Sequence, residues 1–60
     1  MSTTEFMRIA ISMHTRTVVG LLNAVERADS PAQRADRLAM IRDATIDFKR
    51  EMVAILDKAP

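Results

Sequence analysis

One histidine and no cysteine make a thin inventory for chemistry in a chain of 60 residues. Paired carboxylates, a nucleophile beside a base, a glycine-rich phosphate loop and metal-ligand spacing are all missing. No catalytic residue, no bound metal and no cofactor is therefore expected, and the chain is not expected to be an enzyme. His14 is the one titratable group in an unusual place, because it interrupts a line of apolar residues. Met7 and Met52 lie about two turns from it, too far to complete a metal or haem site, and Met13 points to another side of the helix. Its spacing places it opposite Thr45, as a polar core layer within the hydrophobic seam. Such a layer either fixes the register of two packed elements by its hydrogen bonds or makes the packing sensitive to acid.

The elements that position these groups follow from the seam itself. Met7, Ile11, His14, Val18, Leu21, Val25 and Ala28 step by alternating fours and threes. Leu38, Ile41, Thr45, Phe48, Met52, Ile55 and Ala59 repeat the pattern. This is the heptad spacing of helices that pack as a coiled coil. Folding back at Asp29 and Ser30 sets Met7 against Met52, Ile11 against Phe48, Val18 against Ile41 and Leu21 against Leu38. The expected fold is all-α: an antiparallel two-helix hairpin forming one domain over residues 1–60.

Helix boundaries are written locally. Ser2 followed by Glu5, and Ser30 followed by Gln33, are capping boxes in which side chains satisfy the N–H groups of a first helical turn. Pro31 takes the first position of helix two, where a missing N–H costs nothing. Helix one is expected at about 3–28, a turn at about 29–30 and helix two at about 31–58. Such a short link forces the helices to be antiparallel neighbours.

A chain of this size buries too small a share of its surface to stand easily alone, and there is neither a disulfide nor a metal to staple it. Self-association into a four-helix bundle, most simply as a homodimer, is the remaining route. Helix one carries a second seam that would serve it: Phe6, Ala10, Met13, Thr17, Gly20 and Ala24, with Ile9 adding apolar surface at the same end. Gly20 and Ala24 are small and would let a neighbouring backbone approach. The same seam would also dock a different protein, so the expected function is that of a small non-catalytic modulator or adaptor.

Nine basic and eight acidic residues leave a net charge of +1, which supplies no bulk attraction to nucleic acid or to an anionic membrane. Any nucleic-acid contact would be local, through Arg8, Arg16, Asn23 and Arg27, which share the outer side of helix one with Ser12. Asp36, Asp43, Asp47 and Asp57 line the outer side of helix two, with Arg34, Arg42 and Lys49 on one flank. Residues Met1 to Glu5 lack the features of a signal peptide, and no stretch is long and apolar enough for a membrane span. A cytoplasmic protein with no membrane partner is expected, and the absence of cysteine fits a reducing compartment.

The hairpin resembles the plasmid-encoded Rop family in topology, and the Leu21–Leu22 and Ala35–Asp36 pairs echo Rop-like sequence. That resemblance implies a dimeric four-helix bundle and RNA binding through helix one. Met13 and His14 stand where the family carries an outward aromatic. Helix two, from Leu38 through Ile41, Arg42, Ala44, Phe48, Ile55, Leu56 and Asp57, is also similar to the second helix of histidine-kinase dimerisation domains. Ser12 to Thr17 echoes their histidine box, yet Thr15 replaces the acidic residue that should follow the histidine and Val18 replaces the proline. Phosphotransfer does not carry over.

Overall fold

Each helix begins on a serine. The Ser2 hydroxyl accepts the Glu5 N–H at 3.2 Å and donates to the Glu5 carboxylate at 3.2 Å. Ser30 accepts the Gln33 N–H at 3.1 Å, and the Gln33 side-chain oxygen accepts the Asp29 N–H at 2.8 Å. With these orphan donors satisfied, α1 runs over Thr3–Glu26 and α2 over Pro31–Asp57. This computed structural model describes residues 2–59, and among them there is no strand. The link is longer than the sequence suggests, because α1 stops at Glu26 and the tighter bond from Ala28 N–H to the Val25 carbonyl turns the chain away. No residue with positive φ is needed to make this turn.

The two helices pack antiparallel into a slab whose Cα envelope measures 48 × 15 × 7 Å. Their contact line differs from the expected seam. Met7, His14, Val18, Leu21, Val25 and Ala28 are half-buried as expected, but Ala10 replaces Ile11, and it is the one buried residue among those described. On α2, Ile41, Phe48, Met52 and Ile55 keep their places, whereas Arg37 and Ala44 turn inward where Leu38 and Thr45 were expected. On α1 the change is confined to the Ala10 end, since Val18 and Val25 stay half-buried and Thr17 is exposed. Two helices meet along one line, and they approach most closely where the side chains are smallest, so Ala10 and Ala44 take that line. Ile11 and Leu38, too bulky for it, are left 47% and 49% exposed on a broad side of the slab.

The axial register shifts as well. Phe48 stacks on His14, not Ile11, with ring centroids 4.2 Å apart and planes 11° from parallel. Arg37 reaches from α2 to donate a hydrogen bond to the Ala24 carbonyl near the end of α1. This guanidinium satisfies one of the last carbonyls of α1 and suits the negative end of its dipole.

Candidate functional site

The expected layer of His14 against Thr45 is not formed. Thr45 is exposed, and its hydroxyl donates to the Ile41 carbonyl of its own helix at 2.8 Å. Thr15 and Thr17 do the same to Ile11 and Met13, at 2.9 and 3.0 Å. A threonine whose hydroxyl is already spent on its own backbone needs no partner across the interface. His14 meets the other helix through its ring face, so a flat aromatic neighbour serves it better than a hydroxyl.

The helix rotation divides the surface into two broad faces. Successive residues turn by about 100°, which puts Phe6, Met13, Thr17 and Gly20 of α1 on the same face as Met40, Asp47 and Glu51 of α2. A trough of about 250 Å³ lies there over the His14–Phe48 stack, walled by Met13, Thr17, Ala44, Asp47 and Glu51. A second, of about 430 Å³ and nearer the turn, is lined by Gly20, Leu21, Ala24, Arg27, Arg37 and Met40. The opposite face carries Ile11, Val18 and Leu22 of α1 beside Leu38, Thr45 and Leu56 of α2.

The second seam read from the sequence is therefore split. Phe6, Ile9 and Met13 are 49%, 46% and 63% exposed, and Thr17 and Gly20 are exposed too. Ala10 is withdrawn into the hairpin, and Ala24 is half-buried with its carbonyl engaged by Arg37. Neither alanine is free to build an outer interface, for the same reason that Ile11 is: the smallest residues have drawn the helices together. Sequence reasoning missed Arg37 and Met40. The signal for Arg37 was its place three and four residues before Met40 and Ile41, in step with Ala44 and Phe48.

Of the basic set on α1, Arg8 and Arg16 are brought together with Ser12, Ile9 and Met13 around a groove of about 300 Å³ on the outer edge. Arg27 belongs instead to the trough beside the turn, about 16 Å further along the helix. Asn23 is exposed, and its carbonyl accepts the Arg27 N–H at 3.1 Å. The one ion pair among the described residues joins Arg42 to Asp43 at 3.2 Å, both well exposed. Among the described residues no three His, Cys, Asp or Glu side chains are grouped to hold a metal ion, and no helix is long and apolar enough to cross a membrane. Comparison with known protein families, curated proteins and solved structures finds no match to the chain.

Proposed function

We propose that this chain is a small non-catalytic interaction protein: a hairpin that associates with a second copy as a four-helix bundle and binds another protein through its helical surfaces, as a modulator or adaptor in the cytoplasm. One observation carries the reading. Among the described residues eleven large apolar side chains are between 44% and 63% exposed, while only Ala10 is buried. A two-helix slab has one internal contact line, and apolar residues on both sides of it stay in water until another macromolecule covers them. Phe6, Ile9 and Met13 cluster at the open end and supply the apolar anchor for the protein partner, with the surrounding charges giving selectivity.

A second reading, an RNA- or DNA-binding regulator of Rop-like type, is favoured by the outer groove where Arg8 and Arg16 converge. The two readings respond oppositely to salt. Contacts from several arginines to phosphates weaken steeply as salt rises, and Arg16→Ala with Arg27→Ala flattens that slope. Contacts through the open apolar end tolerate salt and are lost on Phe6→Ala. Capture of binding partners with and without nuclease, at two salt concentrations, is the measurement. Partners that survive nuclease and high salt but disappear with Phe6→Ala support the protein-binding role; partners lost to nuclease sink it.

A further inference from the structure

We infer that the second copy covers the broad face bearing Ile11, Val18, Leu22, Leu38, Thr45 and Leu56, opposite the seam of Phe6, Met13 and Gly20; this rests on the self-association proposed above and names its surface. The first argument is area. A compact monomer of 6.7 kDa exposes about 3,900 Å². This hairpin exposes 4766 Å², a surplus of about 850 Å² over that compact value. A standard interface removes about 800 Å² from each partner. The surplus is thus the size of one such interface, and the slab has two broad faces to offer.

Packing asymmetry chooses between them. On the Gly20 side of the helix contact stand the small residues Ala10, Ala24 and Ala44, which close the helices together. On the other side stand Val18, Val25, Ile41 and Met52, each only half-buried by the hairpin. Those half-covered side chains continue outward into Ile11, Leu22, Leu38 and Leu56, which are 47% to 54% exposed. The half-covered side chains on this side are larger than the alanines of the other, so a second copy here would bury more apolar surface.

Charge points the same way. The Gly20 face carries Asp47 and Glu51 beside its central trough and Arg27 and Arg37 beside the other. Burying that face against a copy would strip water from these groups. The Ile11 face has no carboxylate in its middle. Arg42 and Lys49 do stand between Leu38 and Leu56, but their long stems let the charges reach the edge of a covered face and remain in water. Thr15 and Thr45, at its centre, have already given their hydroxyl protons to their own helices, so their burial leaves no orphan donor.

Sedimentation equilibrium of the full chain, Leu22→Glu and Met13→Glu is the test, with helicity followed by circular dichroism. The wild type is expected at dimer mass, Met13→Glu with it, and Leu22→Glu at least 100-fold weaker in association. Single cysteines placed in this cysteine-free sequence give a readout that does not depend on whether Leu22→Glu folds. Thr45→Cys is expected to be captured as a covalent dimer by a short bis-maleimide, faster than in urea, and Gly20→Cys is not. Dissociation by Met13→Glu but not Leu22→Glu, or preferential capture of Gly20→Cys, overturns the assignment of the face while self-association stands. A monomeric wild type at millimolar concentration overturns both.

Discussion

The turn end and the open end of this hairpin are held by different kinds of force. Near the turn, directional contacts set the geometry: the Ser30 cap, the bond from Asp29 to Gln33, and Arg37 reaching across to the Ala24 carbonyl. The His14–Phe48 stack stands near the middle. Beyond it, toward Thr3 and Ala59, half-buried Met7, Met52 and Ile55 supply contact that has no preferred direction. The difference teaches where specificity and adaptability lie. Hydrogen bonds and a flat ring stack fix which residue meets which, whereas methionine and aliphatic packing tolerates sliding. The end with the looser tether is also the end where Phe6, Ile9 and Met13 are exposed, so a partner docking there meets the part of the hairpin best able to adjust.

Removing the stack should have the largest effect, because it marks where the directional half ends. Phe48→Ala deletes a half-buried ring and is expected to cost about 2 to 3 kcal/mol, below the range for a fully buried phenylalanine. Urea unfolding at fixed protein concentration measures it. A cycle with His14→Ala sharpens the point: the two rings should couple by about 1 kcal/mol. Hydrogen exchange should then quicken first at Met7 and Met52 and last at Leu21 and Ile41. Additive losses, or uniform quickening, would mean the stack does not divide the molecule.

The two serine caps compare the ends directly. Both accept a bond from the residue three positions on, at nearly equal length. Ser30→Ala should nevertheless cost about 1 kcal/mol, and Ser2→Ala roughly half of that, because a terminal turn frays at little cost while the turn cap orients two helices at once. Equal losses in thermal unfolding would remove the distinction between the ends.

How legible this fold was depends on the range of the physics involved. Capping is local, so Ser2 with Glu5 and Ser30 with Gln33 placed both helix starts, and the alternating spacing placed the hairpin. Rotation is not local. The frames through Ile11, Val18 and Val25 and through Ala10, Thr17 and Ala24 share Met7, His14, Leu21 and Ala28, so periodicity alone cannot choose between them. Hydrophobicity favours Ile11 and close approach of backbones favours Ala10; close approach wins at Ala10, whereas Val18 is half-buried and Thr17 exposed further along. On α2 the signal is weaker still. Ile46 and Val53 lie on the outer side while Leu38, Met40 and Leu56 fall on the flanks, so no single stripe dominates and Thr45 looked as well placed as Ala44. The outer arginines were legible as a side of α1, but their division into a groove at Arg8 and Arg16 and a trough at Arg27 follows from the neighbours that α2 brings.

Gly20 offers the smallest and most discriminating change. It sits inside α1 with negative φ, and a Cβ built on it meets nothing within 4 Å. Neither backbone strain nor internal packing calls for glycine there, although it costs a helix interior about 0.8 to 1 kcal/mol relative to alanine. Gly20→Ala should therefore raise the stability of the turn half by about that amount in thermal unfolding. Because Gly20 lies on the face opposite Ile11 and Leu22, the dimer mass should be unchanged. A stabilised hairpin that associates as before but loses its protein partner would locate the open space above Gly20 as the place where that partner's backbone comes close. A stabilised hairpin that no longer dimerises would instead put the second copy there and reverse the roles of the two faces.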